Sequence, residues 1–148
     1  MVVYYLNMDE YTTTLKTGDF EENDKKILVE GMLDYHNSKG HPRKKDIFSI
    51  ALRNKDNKFV GGVTISVLWN GMEIDSLWVD ESVRGQGWGT KLMEAAETEG
   101  RKRGCTFAYT NTFSWQAPRF YEKIGYKLFG RLEDFPKGCC LSYYRKSL

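Results

Sequence analysis

The stretch that most restricts how this chain can fold is residues 80–91, DESVRGQGWGTK, where Gly85, Gly87 and Gly89 alternate between a strand-like and a helix-like segment. Glycine weakens regular structure, so three within five residues mark a backbone that must pass close to another group. The candidates are a second backbone element or a phosphate. A helix N-terminus offers unpaired N–H groups and the positive end of the helix dipole, and glycines let those groups curl around an anion. Arg84 at the head of the loop and the helix behind it favour an anion over the plainer alternative, tight strand-to-helix packing. Two familiar loops are excluded. A Walker A loop requires Gly-Lys followed by Ser or Thr, whereas Gly89 is followed by Thr90 and then Lys91. A dinucleotide fingerprint requires G-x-G-x-x-G after the first strand of a parallel unit, whereas this loop reads G-x-G-x-G in mid-chain.

The flanking patterns give an α+β order. Residues 2–8 (VVYYLNM) are rich in β-branched and aromatic residues and predict a strand. Between residues 19 and 36, Ile27, Leu28, Gly31, Met32 and Tyr35 fall at helical spacing. Residues 47–55, 58–69 and 72–80 then predict an antiparallel meander, with Asn70-Gly71 as a hairpin signal. The helix after the glycine loop groups Leu92, Met93, Ala95 and Ala96, carries its basic residues late, and can end at Gly104. Residues 105–113 predict a strand, and 114–125 a short helix capped by Ser114, with Pro118 in its first turn and Gly125 as its stop. Residues 126–134 and 140–146 close the chain as two more strands. A length of 148 residues suits one domain spanning 1–148.

Composition narrows the partners. A net charge of +2 gives no field that points to nucleic acid or an anionic membrane. Nothing approaches the apolar length of a membrane span, and residues 1–11 lack the pattern of a signal peptide. Cys105, Cys139 and Cys140 are odd in number and show no metal-ligand spacing, which predicts a cytoplasmic protein without a metal. Cys105 is expected in the core, and His36 and His41 are expected to be solvated.

A family resemblance rests on two segments. RGQGWG (84–89) matches the R/Q-x-x-G-x-G/A signature of the GNAT superfamily of acyl-coenzyme A-dependent N-acyltransferases. SWQAPRFYEKIGYK (114–127) resembles that family's N-x-x-A-x-x-F/L-Y-x-x-x-G-F/Y segment, carrying Ala117, Phe120, Tyr121, Gly125 and Tyr126, with Ser114 where the family usually has asparagine. The tail 129–146 resembles that of small bacterial members. The resemblance implies a GNAT-like, mostly antiparallel twisted sheet of about seven strands with helices on both faces. It implies acetyl-coenzyme A as cosubstrate and an amine as acceptor, acting as a monomer or homodimer. It further implies that the N–H groups of Arg84, Gly85, Gln86, Gly87, Trp88, Gly89 and Thr90 hold the pyrophosphate. The backbone of Trp78 and Val79 would pair with the pantetheine arm, and Asn111 to Ser114 would flank its other side. Tyr121 matches the tyrosine beside the thioester sulfur.

Acyl transfer to an amine requires removal of an amine proton, a donor for the developing oxyanion and a proton for the departing thiolate. Tyr121 suits the last task. For the first, Glu73 and Asp75 are the carboxylates on the strand leading into the loop, and they share a face if the strand is regular. Asp75, nearer the expected thioester, is the candidate base; a solvent-facing edge-strand carboxylate is the open alternative. Trp69, Trp78 and Trp115, with Glu133 and Asp134, are expected near the mouth, where aromatics and carboxylates suit a cationic amine. The reading is therefore an N-acetyltransferase for a small-molecule amine. An acyl-coenzyme A sensor without turnover, or a protein lysine or N-terminal acetyltransferase, are the alternatives.

Overall fold

Alternating burial along the mid-chain strands, and a single apolar stripe on the helix behind the glycine loop, fix how this chain layers. The computed structural model describes residue 11 and residues 13–148. It divides into two bodies, Met1–Arg43 and Lys44–Leu148. The first contains α1 (Glu22–Ser38), with the acidic Glu22 and Asp24 in its first turn, charges that suit the helix dipole. Ile27, Leu28, Gly31, Met32 and Tyr35 line one hollow and so share a face, as their spacing predicts. The strand expected at residues 2–8 lies outside the described residues.

The second body contains β1 (Lys45–Arg53), β2 (Phe59–Leu68), β3 (Gly71–Val79), α2 (Trp88–Lys102), β4 (Phe107–Phe113), α3 (Pro118–Lys123), β5 (Lys127–Glu133) and β6 (Cys140–Ser147). The strands form one six-stranded sheet in the order β1-β2-β3-β4-β6-β5. Every neighbouring pair is antiparallel except β3 and β4, which run parallel. The mixed, mostly antiparallel α+β architecture is thus the one the element order predicts.

Two details depart from the sequence reading. The β2–β3 turn is centred on Trp69-Asn70, with Trp69 at φ 53°, and Leu68 pairs with Gly71. Gly71 is therefore not the turn residue; it opens β3, where a Cβ would stand 2.6 Å from the Phe107 ring. On α2, Leu92, Met93, Ala96, Glu97 and Gly100 are buried, whereas Ala95 is exposed. That set repeats every three to four residues, so Ala95 falls off the stripe.

Leu92, Met93 and Ala96 pack on Val63, Ile65, Val67, Met72 and Ile74 of the sheet, and Tyr121, Tyr126 and Tyr144 extend the same cluster under α3. Cys105 is buried in it, as expected, while Cys139 and Cys140 are both half-buried. Glu97 is buried too. It receives Lys146 Nζ at 2.8 Å and the Tyr126 hydroxyl at 3.2 Å, so its charge is paired inside the core. Among the described residues no helix is long and apolar enough to cross a membrane.

Candidate active site

The site begins where two parallel strands part. The ladder between β3 and β4 covers only Gly71–Glu73 against Phe107–Tyr109. Just past its end the Thr110 hydroxyl donates to the Ile74 carbonyl at 3.2 Å. Beyond that point β3 stays with β2, and β4 stays with β6. The residue pairing shows a cause. Thr64 faces Ser76 and Ile65 faces Ile74, so Asp75 is an extra residue in β3, a bulge at the point of divergence. Bulges bend a strand and tighten its twist.

The bulge also resets which side chains face inwards. Met72 and Ile74 belong to the core, and after the extra residue Leu77 and Val79 pack against it. Trp78 is therefore turned outwards, 48% exposed, and stacks on Phe59 with ring centroids 6.2 Å apart. Glu73 and Asp75 remain together on the outer face, as a regular strand would also place them. Asp75 receives the Ser66 hydroxyl at 2.7 Å, and Glu73 receives the Tyr109 hydroxyl at 3.0 Å. Neither carboxylate has an ion-pair partner among the described residues. Burial, and then the Glu73 hydrogen bond, push the Tyr109 phenol up to about 12, so it stays a donor.

On the core face of the same fork lies Tyr121. Its ring is 6% exposed, stacked on Tyr144 and edge-on to Phe120 and Tyr126. Beside its hydroxyl lies Thr110, the residue that bridges the two strands. Burial raises the Tyr121 phenol above its ordinary value despite that polar neighbour, so at neutral pH it keeps its proton.

The glycine loop follows β3 directly. Asp80 caps a short 3₁₀ turn (Glu81–Val83), accepting from the Ser82 N–H at 3.0 Å. Arg84 does not reach outwards: its Nε donates to the Val79 carbonyl at 2.9 Å and its guanidinium meets Glu81. Gly85 (φ 74°) and Gly87 (φ 82°) are left-handed, and a Cβ on either would meet no atom within 4 Å. Gly89 has no such φ; there a Cβ would sit 3.3 Å from the Phe120 ring. Gly87 is the N-cap of α2 and supplies no side-chain cap, and the first turn of α2 carries no acid. The result is open space beside the N–H groups of a helix start, an arrangement that could accept a phosphate. Trp88, whose ring carries Lys91 Nζ at 4.3 Å, and Thr90 flank it in the first turn. Gln86 reaches back to the Ser82 carbonyl at 3.4 Å.

Several expected members fall elsewhere. Ser114 does not cap α3, whose N-cap is Ala117. The turn between them folds back through Gln116, which accepts from the Phe113 N–H at 2.8 Å, and the Ser114 hydroxyl accepts from the Cys140 N–H at 3.4 Å instead. Asn111 is exposed on β4, opposite Tyr143. Trp69 sits in the β2–β3 turn, at the far end of β3 from Trp78 and Val79; the strand residues Gly71–Leu77 lie between, about 23 Å at strand rise. It is not at the mouth. Asp134 closes its own loop through the Gly138 N–H at 2.6 Å, and Glu133 lies 3.6 Å from Arg131. Two further residues of the site, Thr110 and Tyr109, lie outside both family motifs; the one local signal for Thr110 is its place in the alternation of β4, whose inward positions the structure shows to be Ala108, Thr110 and Thr112.

Comparison with known proteins agrees with this geometry. Residues 3–126 match the model of the acetyltransferase (GNAT) family. An acetyltransferase of Agrobacterium fabrum is 36% identical over 107 residues, 72% of this chain and 77% of its own length. The blasticidin-S acetyltransferase of Streptomyces morookaense is 33% identical over 97 residues, 65% of this chain and 71% of its own length. The crystal structure of an acetyltransferase from Bacillus cereus superposes with a TM-score of 0.80 at 31% identity, covering 90% of this chain and 98% of that one. A forked parallel pair, a left-handed glycine loop capping a helix and a sequence match through both place this chain in the GNAT acetyltransferase family.

Proposed function

We propose that this protein transfers the acetyl group of acetyl-coenzyme A to a primary amine of a small molecule. The observation that carries the reading is the fork itself. A protonated, buried tyrosine hydroxyl reaches its apex from the core face, and two carboxylates with no ion-pair partner among the described residues line its outer face. The family match runs through both bodies, so both are assigned to one transferase domain.

The pyrophosphate is assigned to the N–H groups around Gly85, Gly87 and the first turn of α2. The pantetheine arm is assigned to the edge of β3 at Trp78 and Val79, which β4 no longer covers and where the Val79 carbonyl already accepts from Arg84. Asn111 borders the other side of the gap from β4, whereas the N–H and hydroxyl of Ser114 are both engaged with Cys140. When bound, the thioester supplies an activated acetyl carbon: the amine nitrogen forms a C–N bond with it as the C–S bond breaks, giving an amide and a thiol. Asp75 attracts the acceptor's ammonium group and takes one of its protons, directly or through water, which frees the lone pair for attack. Glu73, held by Tyr109, adds negative charge beside it. Tyr121 holds a proton for the departing sulfur and regains one from solvent. The small-molecule acceptor is supported by the blasticidin-S acetyltransferase among the relatives. A net charge of +2 shows no bias towards acidic or basic macromolecules.

The test is titration calorimetry with acetyl-coenzyme A, followed by thiol release against small amines and lysine peptides. Saturable binding and amine-dependent release are expected, with small amines preferred. Absence of binding would remove the assignment of residues 84–90. Binding with no release on any amine would point to a sensor, and a preference for peptides would replace the acceptor class.

A further inference from the structure

The outer face of the fork is walled by aromatic rings that the transfer chemistry does not use. On the β4 side, Phe113 follows Tyr109 and Asn111 at alternate positions and so shares their face. Trp115 lies flat against Phe113, with centroids 4.5 Å apart and planes 8° apart. Phe135, from the loop between β5 and β6, leans on Phe113 at 6.1 Å. Trp115 is 57% exposed and Phe135 51% exposed, so the stack presents bare ring faces to solvent. Its mounting is firm: Ser114 and Cys140 exchange backbone and side-chain hydrogen bonds, and Phe135 N–H donates to the Cys139 carbonyl at 3.0 Å. On the β3 side, Phe59 and Trp78 form a second exposed stack, seated over Gly62, where a Cβ would come within 3.2 Å of the Phe59 ring.

A cationic amine alone needs none of this. Two carboxylates at the apex would hold it, and polar residues would serve at the rim. Exposed stacked rings instead offer flat, apolar faces that bind another flat ring, through area burial and offset stacking. The position sets the spacing: Phe113 is four residues from Tyr109 along β4, about 13 Å at strand rise. Charge at one end and rings at the other make the face complementary to a bipolar molecule.

We infer that the acceptor is a planar-ring amine: an aryl or heteroaryl group that stacks on Trp115 and Phe135, joined by an extended spacer to a primary amine lying at Glu73 and Asp75. This rests on the transferase reading above and names the acceptor class for that site. Phe113, Trp115 and Phe135 are specificity residues and take no part in the bond changes.

The experiment compares primary amines of equal length that end either in an aryl ring or in an alkyl group, with spacers of about 5 to 15 Å. Thiol release gives kcat and KM. Calorimetry on the coenzyme A-loaded protein gives binding of the same amines without turnover. The ring-ended series should bind and react better by about tenfold, with an optimum at the longer spacers. Trp115→Ala and Phe135→Ala, both at exposed positions, should erase that preference by raising KM for the ring-ended amines, while acetyl-coenzyme A affinity is retained. Equal binding and turnover of the two series would overturn the inference while leaving the transferase intact. So would variants that weaken both series alike, or a Trp115→Ala chain that changes mass in sedimentation, which would mark the stack as a contact between copies. Failure to bind acetyl-coenzyme A would remove the underlying reading and this one together.

Discussion

Replacing Gly87 with alanine separates two reasons for a glycine that sequence alone leaves merged. At φ 82° and ψ 1° an alanine is strained by about 1–2 kcal/mol, because its Cβ crowds its own backbone. No neighbouring atom of the protein adds to this, since none lies within 4 Å of the built Cβ. The expected loss of stability is therefore that strain alone, a fall in Tm of about 4–8 °C for a body of this size. Strain present in both free and bound protein cancels from an affinity. If the loop's N–H groups hold a pyrophosphate, however, the new methyl group occupies the space that the phosphate needs. Two charge-assisted hydrogen bonds, each about 1.5–3 kcal/mol, would be lengthened or lost, a drop of at least about a hundredfold in coenzyme A affinity. Differential scanning fluorimetry and calorimetry on the same sample measure both quantities. Gly87→Asn, which tolerates a left-handed φ, should recover much of the Tm but not the affinity. A lowered Tm with unchanged affinity would show that Gly87 serves only the backbone turn, and would refute the placement of the pyrophosphate.

Three more outcomes follow from the geometry. Tyr121→Phe keeps the buried ring and loses only the hydroxyl that meets Thr110, so thiol release should fall by about 10²–10⁴ with acetyl-coenzyme A affinity within about twofold; a loss under tenfold would make it a core ring only. Glu97→Ala strands Lys146 beside the core and should lower unfolding free energy by about 3 kcal/mol in urea, with Lys146→Met recovering part of it in the double variant; a cost below about 1 kcal/mol would show the pair to be water-screened. Tyr109 titrates at about 12 in the fold and near 10 when unfolded, so its contribution to stability is complete below pH 10 and is lost as pH rises through 12. Urea midpoints should fall across that window and fall less in Tyr109→Phe, and identical profiles for the two proteins would refute the assignment.

Local information carried the elements and the loop. Helix periodicity, strand composition and turn residues act over a few neighbours, and they placed every strand and helix of the second body to within a few residues. The glycines could be read because a left-handed φ is a demand of single residues, met at Gly85 and Gly87. Tyr121 could be singled out only because a pattern of residues around it resembled a family; among nine tyrosines nothing local distinguishes it.

What tertiary structure decided were consequences of pairing between distant segments. The bulge at Asp75 exists only in the register of β3 against β2, yet it turns Trp78 outwards and opens the fork. The Tyr121 hydroxyl meets Thr110 because α3 folds back over β4, and Glu97 meets Lys146 across 49 residues because α2 and β6 share a core. Trp69 looks like a neighbour of Trp78 in the sequence and lies at the other end of the strand. A strand's composition can be read from its residues one at a time. Its register and the direction of its side chains after a bulge are set by the partner strand, because backbone hydrogen bonds must close between two chains of residues at once.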